Sequence, residues 1–176
     1  MTTHSKAVDC DGGLLIGHDG SEFSDTALSW ALQLADKLGH QVTVVRAWAL
    51  TTAPRPDTWA PGYMPPLVDF EEATRKRLTA DVADIVADHP DVQVSHQAAH
   101  GRPASILVDG SERADMLIVG PRGLGGFRGL VLGSVSEQVV RHAKCPVVVV
   151  HERGDPSLPP ARLTLDRSLA PDETST

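Results

Sequence analysis

Met116-Leu117-Ile118-Val119 is an apolar run, and the residues after it decide how the chain folds: Gly120-Pro121-Arg122-Gly123-Leu124-Gly125-Gly126-Phe127-Arg128-Gly129, then Leu130-Val131-Leu132-Gly133-Ser134. A helical pattern follows over 135–142, and a second apolar run closes the stretch at 146–150. This reads as strand, glycine loop, helix, strand. Ser134 is positioned to cap the helix, since a hydroxyl at that point accepts from the first free amides. A helix start fed by glycines offers unpaired N–H groups and a positive dipole end, a combination suited to phosphate.

Two phosphate loops are excluded by spacing. A P-loop requires Lys after its last Gly, and Gly133 is followed by Ser134-Val135. A dinucleotide fingerprint starting at Gly123 would need Gly at 128, where Arg128 stands. What remains is Gly120, two residues, Gly123, nine residues, then Gly133-Ser134. This pattern resembles the nucleotide-binding motif of the universal stress protein family, in its ATP-binding branch. The competing reading is a glycine loop with no ligand.

Composition narrows the classes. The chain has 176 residues, enough for one domain with a substantial core. Its net charge of -7 argues against a nucleic-acid partner held by bulk electrostatics. A phosphate ligand would have to be held locally, by backbone amides and a few basic side chains. No stretch is long and apolar enough to span a membrane, and residues 1–10 lack the apolar segment of a signal peptide, so a cytoplasmic location is expected. Cys10 and Cys145 have no metal-type spacing, and a disulfide between them is not expected in a reducing compartment.

Taken in order, residues 1–10 are expected to be a flexible N-terminus. A first buried strand is read at 13–17, ending in His18-Asp19-Gly20-Ser21. The helix that follows carries Ala27, Leu28, Ala31, Leu32, Leu34, Ala35 and Leu38 on one face and stops at Gly39. A second strand spans 42–48. Five prolines in 49–66 forbid regular structure there, and Trp59 and Tyr63 suggest a lid that could cover a base. A second helix over 67–88 presents Glu71–Arg75 and Glu72–Lys76 at i,i+4 spacing on a solvated face. The third strand, 92–100, alternates polar residues and so belongs at or near a sheet edge. Gly101-Arg102-Pro103 opens a third helix with Pro near N1. Residues 152–176 are Pro-rich and aperiodic and are expected to form a disordered tail, leaving a domain at 11–151.

Five strands alternating with helices imply an α/β domain: a Rossmann-like, open, parallel five-stranded sheet with right-handed crossovers and helices on both faces. Family resemblance implies the order 3-2-1-4-5. The winding reverses between strands 1 and 4, where such sheets bind ligands, so His18-Asp19-Gly20 and 120–123 should face one crevice.

Asp19 stands where the family has an Asp in a Val-Asp-Gly-Ser-like sequence at its nucleotide site. There it would accept from ribose or adenine, or help hold a divalent ion; the structural alternative is a cap on the first helix. His18 departs from the apolar residue usual at its position. Ala47 matches a family position that offers backbone groups to adenine. Arg122 and Arg128 could neutralise phosphate. Gly120, Gly123, Gly133, Ser134 and Val135 complete the expected site. At Gly123 and Gly133 a side chain would fill phosphate space or demand a positive φ. His96 and His100 lie on a strand without a third ligand, so no metal site is expected. Asp115, in Ala114-Asp115-Met116-Leu117, resembles a family Ala-Asp-Leu-Ile run and reads as structural. The resemblance extends over 13–151 and includes Gly101-Arg102-Pro103-Ala104 and Cys145-Pro146-Val147. It implies a stress-response protein that binds ATP, with or without Mg²⁺, as a regulatory or protective homodimer joined through the strand at 146–150. No general base is evident, so slow ATP hydrolysis is the most that catalysis would amount to. A nucleotide-independent interaction module of the same fold is the alternative.

Overall fold

The computed structural model describes residues 8–124 and 132–151. Among the described residues nine elements alternate in sequence: β1 (Leu14–Gly17), α1 (Glu22–Leu38), β2 (Val42–Trp48), α2 (Leu67–Ala87), β3 (Val94–His100), α3 (Pro103–Gly110), β4 (Met116–Val119), α4 (Ser134–His142) and β5 (Val147–Val149). All strand pairings are parallel, and the order is β3-β2-β1-β4-β5, as expected from the alternation and the family resemblance. β1 is central and fully apolar because it is covered on both faces, with Leu14, Leu15 and Ile16 essentially without solvent contact. β3 lies at one edge, which accounts for its alternating polar residues.

Strand alternation divides the core in two. Leu14, Ile16, Val42, Val44 and Ile118 pack against α1 and α2, through Leu28, Leu32, Leu78 and Val82. Leu15, Val45, Ala99, Leu117 and Val119 pack on the other face, against Ile106 and Leu107 of α3 and Val139 of α4. Burial of this apolar surface, at about 25 cal/mol per Å², is the main force holding the helices to the sheet. Val8 and Cys10 are buried in the second cluster, so packing begins before residue 11, inside the segment expected to be flexible. Both cysteines are free. The expected tail at 152–176 lies outside the described residues.

Local chemistry sets the element ends. Ser21 caps α1 by accepting from the Ser24 amide, and the Gly39 amide closes its other end on the Ala35 carbonyl. Pro103 opens α3. Asp115 fastens β1 to β4: its carboxylate accepts from the Gly13 amide at 2.6 Å, which gives it the structural role expected. On α2, Arg75 pairs with Glu72 at i,i+3, in place of the expected Glu71–Arg75 pair. The solvated face is also not uniform. Arg77 reaches Asp81, and Asp81 turns inward to Arg46 of β2.

Candidate functional site

A cavity of about 430 Å³ opens at the C-terminal ends of β1 and β4, where the winding reverses. Its apolar wall is built by Val45 and Ala47 of β2 and by Ile106 and Leu107 of α3. The polar rim comes from Asp19 on one side and from Gly120, Arg122, Gly123, Gly133, Ser134 and Val135 on the other. Every site residue expected from the sequence therefore reaches the same cavity, except Arg128, which lies outside the described residues. Residues 49–66 do not line it. Trp59 packs beneath the Arg55 guanidinium and Ala60 bridges to Tyr63.

The glycines have distinct reasons to be there. A Cβ on Gly120 would stand 2.9 Å from the Phe23 carbonyl oxygen, so β4 can end this close to α1 only as glycine. A Cβ on Gly123 would run into the Asp19 carboxylate. Gly133 differs from expectation. Its φ of -77° suits any residue, and a Cβ there would meet Arg122 Cα at an ordinary 3.4 Å. Gly133, not Ser134, is the N-cap of α4; Ser134 is the first helical residue. Among the described residues no side chain caps the helix start, and its first residues, Ser134 and Val135, line the cavity rim. Ser136, unremarked in the sequence, ties this helix to the loop: its buried hydroxyl donates to the Gly120 carbonyl at 2.7 Å.

Asp19 is the junction between the two sides. Its Oδ1 accepts from the Ser21 amide (3.1 Å) and the Ser21 hydroxyl (2.6 Å), and its Oδ2 accepts from the Leu124 amide at 2.8 Å. Partial burial pushes the carboxyl upward, but the Ser21 hydroxyl and the Leu124 and Ser21 amides outweigh it and hold it below its ordinary range. A carboxylate offers about four lone-pair sites, so three protein donors leave one for a ligand. Among the described residues no group of three or more His, Cys, Asp or Glu could by itself hold a metal ion. Arg122 lies with its guanidinium 4.8 Å above the Phe23 ring, at the rim.

His18 is buried behind the turn. Arg46 Nη2 lies 2.8 Å from its Nδ1, and Asp25 Oδ1 lies 2.8 Å from its Nε2. A guanidinium only donates, so Nδ1 must accept; Nε2 then carries the proton and donates to Asp25. Burial lowers the imidazole pKa, the Asp25 hydrogen bond opposes that, and the Arg46 charge adds to the lowering. His18 is therefore neutral near pH 7. Neither Arg46 nor Asp81 was singled out by sequence reasoning. Their only signal was a single charged residue in a mostly apolar strand, whose partner lies 35 residues away.

The comparisons agree with this architecture. The family model of the universal stress protein family matches residues 13–151. A universal stress protein of Mycolicibacterium smegmatis is 33% identical over 144 residues, covering 80% of this chain and 46% of its own length. The chain spans about half the length of the curated relatives it matches. A solved universal stress protein in complex with cAMP superposes with a TM-score of 0.59 at 23% identity, over 81% of this chain and 98% of its own. Another, from Archaeoglobus fulgidus and in complex with dAMP, gives 0.51 at 16% identity, over 79% and 97%. With the motif spacing, the strand order and the family match in agreement over the same residues, this chain belongs to the universal stress protein family.

Proposed function

We propose that this chain binds ATP in the cavity between β1 and β4 and acts in the stress response as a regulatory or protective dimer in the cytoplasm. The observation that carries the reading is the uncapped start of α4 on the rim of a cavity with an apolar inner wall. The adenine would lie against Val45, Ala47, Ile106 and Leu107, which suit a flat apolar ring. Ribose would take the remaining acceptor site of Asp19. The phosphates would sit against Gly123, Gly133 and the Ser134 and Val135 amides, where the helix dipole favours negative charge. Arg122 would add a charge-assisted donor. Mg²⁺, where present, would arrive on the phosphates. The cAMP and dAMP carried by two proteins of this fold belong to the same ligand class.

Among the described residues no side chain is placed as a general base: the Asp19 carboxylate is held by three donors and lies below its ordinary pKa range. The nucleotide is thus a bound ligand, hydrolysed slowly at most. Calorimetric titration of ATP, with and without Mg²⁺, and of cAMP tests the reading. Binding of ATP that weakens at least about tenfold, roughly 1.4 kcal/mol, in Asp19→Ala is expected. Absence of heat for both nucleotides, together with no nucleotide released from the purified protein, would favour an interaction module that works without one.

A further inference from the structure

We propose that Arg46 is a positioning residue for Asp19: from the opposite face of the sheet, it locks the turn at residues 18–20 and so sets where the Asp19 carboxylate stands at the cavity mouth. The inference about the turn stands on its own geometry, and its consequence for affinity rests on the nucleotide reading above.

Alternation along β2 puts Val45 and Ala47 on the cavity wall and turns Arg46 toward α1 and α2. Arg46 does not line the cavity, so any influence it has there passes through other residues. Its guanidinium donates in three directions. Nε reaches the His18 carbonyl at 3.3 Å, Nη2 reaches His18 Nδ1 at 2.8 Å, and Nη1 reaches Asp81 Oδ2 at 2.6 Å. Both the backbone and the ring of the residue before Asp19 are therefore held by one side chain. The residue after Asp19 lies beside the same group. Gly20 has φ +90°, and a Cβ on it would lie 3.5 Å from Arg46 Nη2 and 3.9 Å from Asp81 Oδ2.

Asp19 is thus the middle residue of a turn whose preceding residue is held twice by one guanidinium and whose following residue lies beside it. The guanidinium is fixed in turn. Asp81 accepts from Arg46 on one oxygen and from Arg77 on the other, and Asp25 of α1 holds the far side of the His18 ring. A continuous chain of polar contacts, Arg77–Asp81–Arg46–His18–Asp25, crosses beneath the turn from α2 to α1. Arg46 and Asp81 are mostly shielded, so solvent competes weakly with the pair. Lysine at 46 would keep the charge but has one nitrogen on a flexible stem, and it cannot supply the planar fork that meets three acceptors at once.

Arg46→Lys and Arg46→Gln in the full chain test this, with two readouts. The first needs no nucleotide: the Asp19 carboxyl titration followed by NMR. In wild type it falls below the ordinary carboxylate range because Ser21 and Leu124 donate to it. In Arg46→Lys it should move up toward the ordinary value as the turn loosens and those donors are lost. The second is a double-mutant cycle on ATP affinity. Arg46→Lys should weaken binding about three- to tenfold when Asp19 is present and by no more than about twofold when Asp19 is already Ala. An unmoved Asp19 titration in Arg46→Lys overturns the proposal whether or not ATP binds. An equal loss of affinity in both backgrounds also overturns it, because a purely structural role would cost the same in each. If the titration moves but wild type binds no nucleotide, the positioning role stands and the nucleotide reading falls. Should both Arg46 variants fail to fold, Asp81→Asn carries the same two measurements, since it slackens the guanidinium without removing it; there too the Asp19 titration must rise for the proposal to hold.

Discussion

Adding one methyl group to Gly123 separates two roles of the glycine loop. The Cβ of Gly123→Ala would land on the Asp19 carboxylate, so one of them must move. Asp19 is the flexible partner, but it is held by the Ser21 amide and hydroxyl and by the Leu124 amide. Hydrogen bonds to a charged group contribute about 1.5–3 kcal/mol each where solvent is excluded, and less at an exposed rim. Displacing Asp19 should therefore destabilise the fold by about 1–3 kcal/mol in all, a fall in melting temperature of roughly 2–12 °C for a chain of this size. ATP affinity should fall at least about tenfold, since the same shift moves both the carboxylate and the phosphate loop. Gly133→Ala is the control. Its Cβ meets only an ordinary 3.4 Å contact and its φ is unstrained, so melting should hardly change, while ATP binding should still weaken because the methyl group projects where phosphate would sit. Differential scanning calorimetry and ATP titration on the three proteins decide the matter. A Gly123→Ala protein that melts with wild type and binds ATP equally well would show that Asp19 and the loop are not packed as described.

Three other outcomes are expected. Because His18 has a folded pKa below its unfolded value, the unfolded chain binds the extra proton first; the stability it contributes is complete above about pH 6.5 and is lost as pH falls through the depressed folded pKa. His96, also pushed down by burial, adds the same sign, so the test is the difference in urea unfolding between wild type and His18→Asn from pH 8 to 5; parallel profiles would sink it. Removing the Ser136 hydroxyl, buried and bonded to the Gly120 carbonyl, should cost about 1–3 kcal/mol by leaving that carbonyl unpaired, seen as a lower urea midpoint at unchanged slope. The β-branched strand at 146–150 lies at a sheet edge that invites pairing, and multi-angle light scattering at micromolar concentration should return twice the chain mass.

The order of elements was legible because periodicity is local: short apolar or polar-alternating runs of three to seven residues alternate with 3.6-period stretches, and prolines and glycines mark the ends. The cavity was legible for a related reason. Gly120, Gly123 and Gly133 sit at fixed spacing, and the switch-point rule places Asp19 opposite them. What escaped was pairing at a distance. Arg46 and Asp81 are 35 residues apart on a strand and a helix, and nothing in either segment announces the other. His18 could be placed at the crevice but not oriented, because its role depends on which nitrogen meets Arg46. The cap of α4 was misjudged by one residue since Gly and Ser are both accepted at that position, and the choice rests on backbone angles. Trp59 and Tyr63, read as a lid for the nucleotide-bound state, make local contacts with Arg55 and Ala60 of the same segment.

The central position of β1 has a consequence for how the protein is made. Its neighbours on one side, β2 and then β3, emerge from the ribosome soon after it, but its neighbour on the other side is β4, whose flanking Asp115 fastens to Gly13 across 102 residues. During synthesis one edge of this short apolar strand must therefore wait, unpaired, until about a hundred more residues have been translated. Such an edge is where a nascent chain is exposed to misassociation and where chaperones have most to protect. One rim of the cavity follows β1 and the other follows β4, so a ligand held between them would bind only once those two strands have met and would favour their pairing.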